Sequence, residues 1–85
     1  MNRSYIEQYG IIVFLFEIIE ALLSKESGEV EKYFKILMKY LQSSFHETRN
    51  FIIQGLTDIF KRMNQYFPLG CFLFMHSLDT IAQGS

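Results

Sequence analysis

The sequence predicts an all-α domain of four helices, arranged as a four-helix antiparallel bundle or a short helical stack. Three observations carry this. Apolar residues recur at three- and four-residue spacing along most of the chain, the period of a helix buried on one side. The breaks between those stretches are only a few residues long, which favours antiparallel neighbours. The chain has 85 residues, 49% of them hydrophobic, with nine Phe, five Tyr and no Trp. That suits one small domain, residues 1–85, whose core leans on large side chains. It also leaves more apolar surface than so small a core needs, to be buried in an aromatic core or by another copy or partner.

The expected helices span approximately 4–24, 29–42, 45–65 and 68–82. Ser4-Tyr5-Ile6-Glu7 has the Ser-x-x-Glu form of a capping box, in which the hydroxyl and the carboxylate satisfy each other's backbone amides. The first helix carries a polar stripe of Arg3, Glu7, Gly10, Glu17, Glu20 and Ser24, and Phe14 falls on it. A crowded bundle that buries this helix nearly all round is the preferred reading. The alternative makes Phe14 an exposed contact residue. Gly10 to Phe16 is an apolar run, but too short to span a bilayer, and Glu17 and Glu20 interrupt its continuation. It also lacks the order of regions found in a signal peptide.

Ser24-Lys25-Glu26-Ser27-Gly28 is a loop by composition. Glu29 and Glu31 then suit the positive end of the second helix. Val30, Tyr33, Phe34, Leu37, Met38 and Leu41 form its apolar stripe, and Lys32, Lys35, Lys39 and Gln42 line the opposite side. Tyr33, Ile36 and Tyr40 make a second row, read first as core edge and second as cover for a partner. Ser44-Phe45-His46-Glu47 is a second capping box. In the third helix Ile52, Leu56, Ile59, Phe60 and Met63 point inward, and Asp58 and Arg62 form a favourable i,i+4 pair. Gly55 costs about 1 kcal/mol relative to Ala, and close approach of another helix backbone is the expected compensation. Pro68 breaks the third helix and opens a fourth. There Cys71, Phe74, Met75, Leu78 and Ala82 form one face, widened by Phe72, Leu73 and Ile81.

Several functions lack their residues. Net charge is −1 and the basic residues are scattered, so nucleic acid is not an expected partner. The single cysteine, Cys71, excludes an intramolecular disulfide and fits a cytoplasmic protein. His46 and His76 lie in different segments without a second ligand at metal spacing. Glu17 and Glu20 share a face but lack the Glu-x-x-His partners of a bundle metal site. No phosphate loop or nucleophile motif occurs. No cofactor, metal, catalytic residue or enzymatic activity is expected.

From Val30 to Phe60 the chain resembles a HEAT-type helical hairpin. Ile36, Leu37 and Leu41 occupy the first-helix row, Thr48-Arg49 stands where Val-Arg is usual, and Gly55-Leu56 where Ala-Leu is usual. Thr48, Ile52 and the Ser43-Ser44-Phe45-His46 turn depart from that pattern. The resemblance implies that Arg49 buttresses the neighbouring turn. More loosely, the whole chain is similar in size and layout to small helical bacterial immunity proteins, which neutralise a toxin by binding it.

The leading expectation is therefore a protein-protein interaction module that binds by a helical surface, with Phe14, Tyr33, Ile36 and Tyr40 as contact residues and another protein, such as a toxin, as partner. One alternative is a homodimer whose apolar surplus is its own interface. The other is a peripheral membrane or secretion helper using Ile11 to Phe16, with membrane contact disfavoured.

Overall fold

A computed structural model describes residues 3–43 and 45–83, and the side chains of 7–42 and 45–83. Four helices follow one another: α1 (Arg3–Ser24), α2 (Val30–Ser43), α3 (His46–Met63) and α4 (Pro68–Gln83). They form an all-α four-helix bundle. α1 packs against both α2 and α3, α2 against α3, and α4 chiefly against α3.

Four of the helix ends have a local cause among the described residues. α1 closes in a Schellman motif: Ser27 N–H donates to Leu22 C=O at 3.0 Å and Glu26 N–H to Leu23 C=O at 3.1 Å. The motif requires a left-handed residue, and Glu26 adopts φ 54° to supply it. Ser27 Oγ accepts from Glu29 N–H at 3.2 Å, which leads the chain into α2 with Glu31 in its first turn. α3 ends where Met63 C=O accepts from both Tyr66 and Phe67 N–H, at 3.0 and 3.1 Å. Phe67 C=O then accepts from Cys71 N–H at 3.0 Å, so Pro68 sits at the first helical position, where no N–H is required.

The expected caps fare differently. The side chain of Ser4 and all of Ser44 lie outside the described residues. The second capping box is nevertheless displaced, because the N-cap is Phe45, whose C=O accepts from Arg49 N–H at 2.9 Å. That moves Thr48, not Glu47, to the third helical position. Phe45 itself contributes no side-chain cap hydrogen bond.

The core forms where the stripes meet. Ile12, Leu15, Ile19 and Leu23 come from α1, and Val30, Phe34, Leu37, Met38 and Leu41 from α2. Ile52, Leu56, Ile59, Phe60 and Met63 join from α3, and Cys71 and Leu78 from α4. Phe34, Phe60 and Phe74 tie α2, α3 and α4 together, with Phe34 and Phe74 ring centroids 4.8 Å apart. Thr48 is wholly buried at the foot of α3. Beside it, Arg49 Nη1 donates to Leu41 C=O at 3.2 Å. The carbonyls of a final helical turn lack intrahelical donors, and this guanidinium satisfies one of them across the α2–α3 turn.

Two expectations about α1 and α3 are corrected. The nearest atoms that a Cβ at Gly55 would meet belong to a side chain rather than to a helix backbone: it would overlap Cε2 and Cζ of Phe16 on α1. Arg62 forms its ion pair with Glu20 of α1 at 3.0 Å, while Asp58 accepts from Gln54 at 3.4 Å. The first replaces a backbone neighbour by a side chain, and the second replaces a contact within α3 by one between helices.

Candidate functional site

The contacts that orient α1 and α2 leave a common outer face. Phe16 reaches Gly55 and Phe51 of α3, Tyr9 reaches Phe51 at 4.8 Å, and Glu20 reaches Arg62. These fix one flank of α1 toward α3. On α2, Phe34 meets Phe60 and Phe74, which turns that flank toward α3 and α4. At about 3.6 residues per turn, Ile11 and Phe14 lie round the far side of α1. By the same spacing, Tyr33, Ile36 and Tyr40 lie on the α2 flank that adjoins α1. The four residues singled out by sequence thus border the outer α1–α2 seam.

Their burial differs. Phe14 is 61% exposed, which overturns the preferred expectation that α1 is buried nearly all round. Ile11 and Val13 are exposed with it. The cause is the arrangement of the bundle: α1 touches two helices, and two neighbours cover only part of a helix circumference. Ile36 is exposed, whereas Tyr33 and Tyr40 are half-buried against the core. The last two are therefore core-edge residues whose outer surface adjoins the seam.

Charge of both signs edges this face. Glu7 and Glu17 of α1 and Lys32, Lys35 and Lys39 of α2 are exposed. Lys35 pairs with Glu31 at 3.2 Å, an i,i+4 bridge in open solvent that contributes little to folding. An apolar strip inside a rim of mixed charge is the layout of a binding surface with a desolvated centre.

Other chemistry-bearing side chains stand apart. His46 Nε2 lies 3.2 Å from Asn50 Nδ2 on the first turn of α3, and His76 is exposed on α4. Glu17 and Glu20 line a shallow groove of about 550 Å³ with Ser24, Met63 and Tyr66, and Arg62 holds Glu20 at its edge. Among the described residues no group of three or more His, Cys, Asp and Glu could hold a metal ion. Cys71 is fully buried, and burial pushes its thiol above the usual 9.0. Among the described residues no helix is long and apolar enough to cross a membrane.

One surface escaped the sequence reading. Phe72 and Leu73, expected to widen the inner face of α4, are 67% and 62% exposed, and Leu69 beside them is 75% exposed. The available signal was charge: no Asp, Glu, Lys or Arg occurs from Met63 to Leu78. Without a charged side to mark the solvent, the apolar period alone cannot orient the helix.

Comparison with protein-family models, with curated proteins and with solved structures finds no match to this chain.

Proposed function

We propose that this protein is a non-enzymatic protein-protein interaction module of the cytoplasm, acting as an immunity or inhibitor protein that occupies a toxin surface with its outer α1–α2 face. The observation that supports this is the exposed Phe14, with Ile11 and Ile36 on the same face and charges around them. Exposed aromatics that become fully buried on binding are the usual anchors of such interfaces, each costing about 2 kcal/mol or more when truncated. Phe14 is the central anchor, Ile36 flanks it, and Tyr33 and Tyr40 supply a firm wall because the core already holds them. The charged rim sets orientation and the rate of encounter rather than most of the affinity.

The test is co-expression with the protein encoded beside it, scored by rescue of growth and by affinity in purified form. The wild type should protect and bind, and Phe14→Glu should lose both while keeping its helical circular dichroism. Protection that survives Phe14→Glu at full strength removes the α1–α2 face from the mechanism. A neighbour that is neither toxic nor bound removes the immunity reading.

A further inference from the structure

The outer face of α4 carries a second, separate surface. Leu69, Phe72 and Leu73 are 75%, 67% and 62% exposed and stand at i, i+3 and i+4, so they form one apolar ridge. Beside it runs a groove of about 360 Å³ between α4 and the start of α2, floored by Val30, Phe67 and Phe74. Leu73 belongs to both, being part of the ridge and a wall of the groove. The ridge itself is carried by α4 and shares no residue with the α1–α2 face, although Glu31 of the groove wall pairs with Lys35 at that face's edge.

The geometry points to a second copy of this chain as the occupant, docked through α4 about a two-fold axis. A two-fold interface must be complementary to itself, and a ridge adjoining a groove on one surface meets that condition. An antiparallel crossing near Phe72 sets Leu69 of each copy beside Leu73 of the other and turns the ridge of each toward the groove of its mate. Charge favours the same occupant. From Met63 to the end of the chain the only Asp, Glu, Lys or Arg is Asp79. With Leu69 level with the mate's Leu73, the two Asp79 side chains stand about 24 Å apart along the helix axis, beyond the Debye length of about 8 Å at physiological salt. Self-pairing therefore keeps the two Asp79 apart, and Glu31 at the groove wall is met by an apolar ridge while its charge stays paired with Lys35. The ridge carries no cation to hold an anionic lipid, and the one charged residue of the groove lining, Glu31, is already paired with Lys35, so a heterologous partner finds little electrostatic steering here.

Area sets the strength. Aromatic side chains present about 150–250 Å² each, and with leucines near the low end the ridge exposes roughly 400 Å². A stable dimer buries about 800 Å² per partner. The groove walls add to the ridge without doubling it, so the dimer is in reversible exchange with monomer in the micromolar to millimolar range.

Sedimentation equilibrium of the whole protein over that range tests this. The wild-type mass should climb from one chain toward two. Phe72→Glu, which places two carboxylates at the axis, should weaken dimerisation at least about tenfold, the equivalent of 1.4 kcal/mol. Phe14→Glu, on the other face, should leave it unchanged. If Phe72→Glu loses its helical circular dichroism, Leu69→Gln at the more exposed position gives the same reading. A wild type that stays monomeric to millimolar concentration overturns the proposal. So does a dimer that is indifferent to the ridge variant or equally sensitive to Phe14→Glu. Phosphatidylcholine vesicles that pull down a monomeric wild type would replace the second copy by lipid and also overturn it. The α1–α2 proposal survives each of these failures, because it reads a different face and a different partner.

Discussion

The ring of Phe16 occupies the space that a side chain at Gly55 would need, so one glycine sets how closely α1 and α3 pack. Phe51 lies one turn before Gly55 and holds the same ring at a centroid distance of 5.7 Å. Tyr9 reaches Phe51 from the preceding part of α1 at 4.8 Å. The glycine is thus the floor of an aromatic seam that runs along the α1–α3 contact.

Two opposing effects act on Gly55→Ala. Alanine gains about 1 kcal/mol of helix propensity over glycine. The new methyl overlaps a ring that Phe51 already confines, and overpacking of that kind costs about 1–3 kcal/mol. Gly55→Ala should therefore destabilise by roughly 1 kcal/mol in chemical denaturation. In a Phe16→Ala background the obstruction is gone, and the same change should stabilise by about 1 kcal/mol. An unchanged sign in the two backgrounds would show that the ring does not govern this position.

Glu26 offers a stabilising substitution. At φ 54° it occupies the left-handed position that closes α1, where an L side chain costs about 1–2 kcal/mol. Glycine removes that cost but adds chain entropy worth roughly 0.5–1 kcal/mol. Glu26→Gly should raise the denaturation midpoint by about 0.5–1 kcal/mol of stability with an unchanged slope. Glu26→Val, stiff at χ1 and poorly suited to positive φ, should lower it. A fall in the midpoint for the glycine variant would contradict the assignment of the motif.

Cys71 links stability to alkaline pH. Burial pushes its thiol above 9.0, so the folded protein holds the proton more tightly than the unfolded chain. Below 9.0 both states are protonated and the buried thiol contributes fully. Above it the unfolded chain ionises first, and that stability is lost as pH rises through the raised value of the folded state. The thermal midpoint of the wild type should fall more steeply over this alkaline window than that of Cys71→Ala. Parallel slopes would mean that the thiol titrates alike in both states.

How much of this was legible in the sequence depended on where the determining contact lay. The inner rows of α2 and α3 were readable because lysines or polar residues occupy the opposite side and leave one orientation. α4 was not, because Met63 to Leu78 lacks charge on either side, and Leu69, Phe72 and Leu73 turned outward. The partner of Gly55 lies on α1, and that of Arg62 is Glu20, 42 residues away. Local periodicity names neither. The row Tyr33, Ile36 and Tyr40 followed from spacing alone. Its division into core edge and open surface required knowing that α1 lies beside it and that the described residues leave Phe14 mostly exposed.

That division separates two residues that looked equivalent. Phe14 is mostly exposed, so Phe14→Ala should change folding stability by no more than about 0.5 kcal/mol, as surface substitutions usually do. If it anchors the partner, the same variant loses about 2 kcal/mol or more of binding. Tyr40 is half-buried against the core, so Tyr40→Ala removes packing as well. Full truncation of a buried aromatic costs about 3–5 kcal/mol, and half of that burial implies roughly 2 kcal/mol. Its loss of binding must therefore be read at a temperature where the variant is still folded. Titration calorimetry with the partner protein proposed above, run beside chemical denaturation, resolves the two. Phe14→Ala should move the affinity alone, and Tyr40→Ala should move both. Undiminished affinity for Phe14→Ala would remove that residue from the interface, because a side chain 61% exposed contributes too little packing to mask the result.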